Sequence, residues 1–247
     1  MTFLNAVISK AGGRSYNQDS HGMQQHNGTF CCVVADGLGG HHGGGIASML
    51  AVDSIIQSFH ADTDLSPMAL GKHFEKAQAE IIRHQRENEE LSALRTTAVI
   101  LIANHHSAIW GHIGDTRLYH VRDNRIRSRT KDHSVPQALV NAGDISIAEI
   151  RHHPDRNRLL QSLGSERIKP MVLSAPEPLQ KGDAFLLCTD GFWEYVYDLE
   201  IETSFTQAHS PKEWLEKMEL MLLRKADGEH DNYTGYGIWM NRKSLID

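Results

Sequence analysis

Thr29-Phe30-Cys31-Cys32-Val33-Val34-Ala35-Asp36-Gly37 is an apolar run that stops at an aspartate beside a glycine. Its β-branched and aromatic content reads as a strand over residues 29–35, closed by turn residues. The same kind of boundary recurs along the chain. Apolar runs end at Leu187-Cys188-Thr189-Asp190-Gly191 and at Gly114-Asp115-Thr116-Arg117, and Asp231-Asn232-Tyr233-Thr234 opens another. Further strand-like runs fall at 3–9, 97–103, 108–113, 117–122, 125–130, 184–188 and 233–240. Residues 45–59 place Ala47, Leu50, Ala51, Ile55 and Phe59 on one helical face, and residues 67–90 do so with Leu70, Phe74, Ala77 and Ile81. Ser210 caps a third helix, with Pro211 in its first turn and Trp214, Leu215, Met218 and Leu222 at helical spacing. Strands in runs, with helices set between them, imply an α+β layered domain rather than alternating βαβ units. Two sheets packed face to face and covered by helices fit best. Residues 134–164 carry two short helical patterns and then His153-Pro154-Asp155-Arg156-Asn157, and read as an inserted flap. With no repeat or linker in view, residues 1–247 are expected to form one domain.

A chain of 247 residues is long enough for a substantial core. Hydrophobic content of 40% and charged content of 23% are ordinary for a soluble globular protein. No stretch approaches about 18 uninterrupted apolar residues, so no membrane span is expected. Met1-Thr2-Phe3-Leu4-Asn5 lacks the charged and apolar regions of a signal peptide, and a cytoplasmic location is the expectation. Cys31, Cys32 and Cys188 lie in strand-like runs and read as buried, reduced thiols. The net charge of −6 argues against nucleic acid as a partner. Arg125, Arg127 and Arg129 share one face of a strand, which is either a solvated outer face or a docking surface for an acidic or phosphorylated protein. The 16 histidines include the doublets His41-His42, His105-His106 and His152-His153. Adjacent strand residues point to opposite faces, so these doublets are poor shared ligands, and most histidines are expected at the surface.

The chemistry rests on the acids. Asp36, Asp115, Asp190 and Asp231 sit at the run boundaries, and Asp19 follows in Arg14-Ser15-Tyr16-Asn17-Gln18-Asp19. Gathered at one point, such carboxylates cannot all stay ionised without a compensating cation. Oxygen ligation without His or Cys selects hard ions such as Mg²⁺ or Mn²⁺. Taken singly, each motif is better read as a turn, because Asp and Gly both tolerate positive φ, and Arg14 alone is better read as a surface residue.

Taken in order, the set Arg-x-x-x-Gln-Asp, Asp-Gly-x-Gly-Gly, Gly-Asp-Thr-Arg, Thr-Asp-Gly and Asp-Asn-x-Thr closely resembles the metal-dependent serine/threonine protein phosphatases of the 2C type, bacterial single-domain members in particular. The resemblance runs from about Ser9 to Met240 and takes in Thr130-Lys131-Asp132-His133-Ser134. It implies a four-layer α-β-β-α sandwich, a central antiparallel β-sandwich flanked by helices, with a flap at about 134–164. It also implies two or three Mn²⁺ or Mg²⁺ ions. Asp36 would bridge the core pair, Gly37 would offer its carbonyl, and Asp190 and Asp231 would hold the other ion. Asp19 would act nearby through water, and Asp115 with Asp190 would hold a third ion. Arg14 would grip the substrate phosphate, where its planar fork matches two oxygens. A water activated by the ions would attack phosphorus in line, without a phosphoenzyme. The expected partner is a phosphorylated protein, such as a serine/threonine kinase or its target, and the expected state is a monomer.

The chain departs from the family pattern at three places. Leu38 stands where some relatives carry a histidine proposed as general acid, and it has no proton to give. The leaving oxygen would take one from metal-bound water or another group, and His41 and His42 are read either as that group or, in preference, as loop histidines lining the rim. Gln18 replaces a common glutamate and removes one negative charge. Thr116 replaces a common serine. A binding module that recognises phosphoproteins without turnover, and a phosphatase of small metabolites, are the rival readings. The intact set Asp36, Asp190 and Asp231 stands against the first. The flap and the basic strand stand modestly against the second.

Overall fold

The computed structural model describes residues 3–39, 43–168, 172–173 and 175–240. His41 and His42 lie outside them. In chain order the elements are β1 (Phe3–Lys10), β2 (Asp19–His26), β3 (Thr29–Leu38), α1 (Gly43–Ala61), α2 (Pro67–Glu87), β4 (Arg95–Thr96), β5 (Ala98–Ala103) and β6 (Ser107–Ile113). There follow β7 (Arg117–Arg122), β8 (Arg125–Arg129), α3 (Val135–Ala142), β9 (Val172–Leu173), β10 (Glu177–Pro178), β11 (Ala184–Cys188), α4 (Asp190–Trp193), α5 (Asp198–Gln207), α6 (Pro211–Lys225) and β12 (Tyr233–Met240).

The strands form two antiparallel sheets, one ordered β1-β12-β11-β7-β8 and the other β10-β6-β5-β3-β2, with β4 on β3 and β9 on β6. Alternation along β3 explains the layering. Cys31, Val33 and Ala35 pack outward against Ala47, Ala51, Ile55 and Phe59 of α1 and Leu70 and Phe74 of α2. Phe30, Cys32 and Val34 point the other way, onto Leu118, Phe185, Leu187 and Ile238 of the facing sheet. A strand buried on both faces has no polar side to offer, which is why 29–35 reads as a continuous apolar run. The second sheet repeats the device: Leu186 and Trp239 pack outward against Phe205, Trp214, Leu215 and Met218 of α5 and α6. Two helical layers thus enclose two sheets, and the expected α-β-β-α sandwich is the fold. Among the described residues, no helix is long and apolar enough to cross a membrane.

One local expectation needs correction, and two are sharpened. β2, Asp-Ser-His-Gly-Met-Gln-Gln-His, is absent from the strands read off the sequence. It is an edge strand paired on one side only, so its polar residues face water and no apolar run marks it. The basic residues of β8 form the solvated face rather than an open docking surface: Arg125 and Arg127 are largely exposed, and Arg125 meets Glu202, Arg127 Glu177 and Arg129 Asp198. Most described histidines are exposed or half-buried, as expected; His73, His112, His120 and His230 are the buried exceptions. The three cysteines are free, buried thiols whose ionisation burial suppresses.

Candidate active site

The expected acids come from different loops, and strand ends carry them to one end of the sandwich. Asp36 ends the apolar part of β3, and Asp19 opens β2 directly opposite it in the antiparallel register. Asp115 occupies the turn between β6 and β7, Asp190 starts α4 just after β11, and Asp231 precedes β12. Arg14 lies in the connection from β1 to β2. Two glycines set how closely these loops approach. A Cβ on Gly37 would stand 2.1 Å from the Gly44 carbonyl oxygen in the first turn of α1, and one on Gly191 would stand 2.1 Å from the Asn232 oxygen. Neither position tolerates a side chain, so the Gly of each Asp-Gly pair serves backbone contact across the site as well as a turn.

A recess of about 450 Å³ results, lined among others by Arg14, Asp36, Gly37, Asp115, Asp190 and Asp231. Gln18 and Leu38 also line it, and the flap contributes Asn157 and Leu159. Asp19 sits behind the wall. Its Oδ2 accepts from Thr189 Oγ1 at 2.9 Å and Thr234 Oγ1 at 2.7 Å, while its Oδ1 is buried without a partner. A larger groove of about 620 Å³ runs along α2 past Glu75, Ile82 and Arg86, but gathers no reactive set.

Electrostatics at the recess are unfavourable to bare carboxylates. Burial, then repulsion from Asp190, Asp19 and Asp115, pushes Asp36 well above the usual range. Asp115 is raised by burial and by Asp190 and Asp132, with Arg117 opposing. Asp190 is raised by burial and Asp231. Burial also lifts Asp19 to about 7, against the pull of its two threonine hydrogen bonds. The side chains answer this strain with protein donors. Asp36 and Asp190 come within hydrogen-bonding reach of each other, and Asp190 Oδ1 accepts from the Gly191 N–H at 2.7 Å. Asp231 takes the Arg14 fork, Nε and Nη2 each at 3.1 Å. Accordingly no three His, Cys, Asp or Glu side chains stand as a closed metal cage among the described residues. The donor set nevertheless fits hard divalent cations: all-oxygen, clustered, and with the buried Oδ1 atoms of Asp19 and Asp115 lacking any partner.

Several supporting groups were not anticipated from the sequence. Asn232, 5% exposed, donates from Nδ2 to the carbonyls of Ala11 and Tyr16 and accepts the Gln18 N–H at Oδ1, each at 2.8 Å. One carboxamide therefore shapes the loop that carries Arg14. Thr96 and Thr97 grip the Asp36 main chain in the same way. Glu194, one turn beyond Asp190, is lifted to about 7 by burial and by Asp190, and its Oε1 accepts from Arg156 of the flap at 3.0 Å. Of these groups only Asn232 lies in a motif visible in the sequence; Thr96 and Thr97 carry no local signal because the Asp36 main chain they hold lies far off in sequence.

Comparison with known proteins agrees with the geometry. Residues 9–230 match the family model described as Protein phosphatase 2C. The chain is 30% identical over 228 residues to the serine/threonine phosphatase stp of Listeria welshimeri, covering 90% of this chain and 89% of that one. It superposes on the crystal structure of the Mycobacterium tuberculosis serine/threonine phosphatase PstP/Ppp with a TM-score of 0.85 and 26% identity, over 98% of this chain and all of that one. A structure of the PstP catalytic domain in complex with two manganese ions matches at a TM-score of 0.81 and 26% identity, covering 96% of this chain and 99% of that one.

Proposed function

The chain belongs to the protein phosphatase 2C family, the metal-dependent serine/threonine phosphatases, and on that premise we propose how its own residues divide the work. Asp36, Asp190 and Asp231, with the Gly37 carbonyl, would hold the core pair of Mn²⁺ or Mg²⁺ ions; Asp19 would support it from behind; Asp115 and Asp190 would share a further ion. Bound there, the ions supply charge neutralisation and activation of water near neutral pH. Arg14, whose fork holds both Asp231 oxygens, would be free to offer it to two oxygens of the substrate phosphate in exchange for that carboxylate if Asp231 were given over to an ion. Asn232 keeps the Arg14 loop in register during the exchange. Leu38 donates no proton, so the leaving serine or threonine oxygen takes one from elsewhere in the recess.

The observation that carries this reading is the convergence of Arg14 with Asp36, Asp115, Asp190 and Asp231 on one recess. The substrate is a phosphoprotein, and we infer that a serine/threonine kinase or its target is the partner and that the enzyme acts as a monomer. Hydrolysis of a phosphothreonine peptide with Mn²⁺, with Mg²⁺ and with chelator, by wild type and Asp190→Ala, tests it. Metal-dependent phosphate release that Asp190→Ala abolishes is the expected result. Folded, metal-loaded wild type that releases nothing from peptides or phosphoproteins would instead support a binding module. Release from phosphorylated sugars in preference to peptides would move the substrate to small metabolites.

A further inference from the structure

Trp193 joins two of the carboxylates without facing the chemistry itself. It ends α4, the helix that Asp190 opens, and its indole Nε1–H donates to the main-chain carbonyl of Asp115 at 2.9 Å. Trp193 is 1% exposed and Asp115 4%, so neither group has water as an alternative partner. The indole is itself held in place. The Arg117 guanidinium lies 3.4 Å over its ring, and that guanidinium is pinned by hydrogen bonds to both Asp132 oxygens, at 2.8 and 2.6 Å, and to the Tyr119 hydroxyl at 3.2 Å. Buried on every side, the cation cannot swing away, and its stacking fixes the plane of the ring. The turn ahead of Asp115 is tied from the opposite side: the His133 N–H donates to the Gly114 carbonyl at 2.9 Å, and the Gly114 N–H donates to His133 Nδ1 at 3.2 Å. The carboxylate that this frame presents lines the recess and keeps Oδ1 buried and unpartnered.

We propose that Trp193 is a positioning residue that fixes the Asp115 main chain to the Asp190 helix, and so sets the affinity for a divalent cation shared by those two carboxylates. The inference rests on the reading of Asp115 and Asp190 as metal ligands. Two carboxylates on separate loops bind a cation tightly only when their separation is held in advance; otherwise binding must order them. Outer groups that orient ligands commonly contribute roughly 10- to 100-fold in metal affinity. Trp193 does this through one N–H and a clamped ring, without touching ion or substrate.

Mn²⁺ titration of the metal-free protein by calorimetry, with no substrate present, tests the proposal in wild type, Trp193→Phe, Asp115→Ala and the double variant. Wild type is expected to bind a tight pair of ions and a weaker one. Asp115→Ala removes the weaker site. Trp193→Phe weakens it roughly tenfold while leaving the tight pair within about twofold. In the Asp115→Ala background, Trp193→Phe then changes nothing further. If thermal unfolding finds Trp193→Phe unfolded, Trp193→benzothienylalanine keeps the shape without the N–H and takes its place. An unchanged weak site in a folded Trp193 variant overturns the proposal, as do equal weakening of every site and a wild type that binds only the tight pair. Phosphopeptide hydrolysis by the same wild-type preparation is read separately. An inactive protein would sink the phosphatase reading, while the role of Trp193 stands or falls on the titration alone.

Discussion

Arg14 and Asn232 act as a pair although 217 residues separate Arg14 from the carboxylate it holds. Arg14→Lys keeps the charge but loses the fork that binds two oxygens at once. Losing a charged hydrogen bond costs about 1.5–3 kcal/mol, so kcat/KM on a phosphopeptide is expected to fall roughly tenfold or more. Steady-state kinetics check it, and an unchanged ratio would leave Arg14 without a part in phosphate binding. Asn232→Ala strips partners from the Gln18 N–H and from the Ala11 and Tyr16 carbonyls, in a site where Asn232 is 5% exposed. Unfolding free energy is expected to drop by about 1–3 kcal/mol, with KM rising as the Arg14 loop loosens. Denaturant titration beside the same kinetics separates the two effects, and a loss of stability with KM unchanged would make Asn232 merely structural. The acids of the recess were legible from sequence as an ordered set of short motifs, since each motif alone reads as an ordinary turn. Asn232 was not legible in the same sense: its neighbours in the motif say nothing of Ala11, Tyr16 and Gln18, which only folding brings to it.

The helices divide into those with local signals and those without. α6 starts with Ser210 Oγ accepting the Glu213 N–H at 3.1 Å and with Pro211 in its first turn, and buries Trp214, Leu215, Met218 and Leu222. Cap, proline and apolar spacing all agree, so the element is readable in advance. Ser210→Ala removes the cap acceptor and is expected to cost about 1 kcal/mol. For a chain of this length that lowers the unfolding temperature by roughly 2–4 °C, which calorimetry resolves; no change would mean that packing alone sets where α6 begins. By contrast α5 buries only Ile201, Ser204 and Phe205, a one-turn stripe interrupted by a serine, and has Leu199 68% exposed, so little in its sequence marks it. Ile201 and Phe205 join the core beneath it, and its Glu202 and Asp198 meet Arg125 and Arg129 of β8, the residues whose spacing suggested either a solvated face or a docking surface. The spacing correctly put the arginines on one side of the strand, but which anions meet them is a matter of tertiary arrangement.

Across the molecule, layering follows from strands apolar on both faces, and the sandwich has two ends with different electrostatics. At one end loops crowd carboxylates that burial and mutual repulsion push up; near the start of β11, Asp183 is instead held down. Burial alone would raise its carboxyl, but Arg122 donates to both its oxygens at 2.7 and 2.8 Å, His120 stands 3.4 Å away, and the Gln180 N–H donates at 2.7 Å. Together they bring it to about 2, below the ordinary 3.8. A carboxylate depressed in the folded state adds stability that is complete above its unfolded pKa and is lost as pH falls through the folded value. Asp183 is therefore expected to contribute about 2 kcal/mol at neutral pH, fading between about pH 4 and pH 2. Urea unfolding of wild type and Asp183→Asn across that range checks it: the gap between them should be widest above pH 5 and narrow steadily in acid. A gap that stays constant with pH would mean that the variant acts through packing around Arg122 and His120 instead of through charge. The recess end should respond the other way. Asp19, Asp36, Asp115 and Asp190 are raised by burial, so in metal-free protein their ionisation opposes folding, and urea unfolding of chelated protein should show stability falling as pH climbs above about 4.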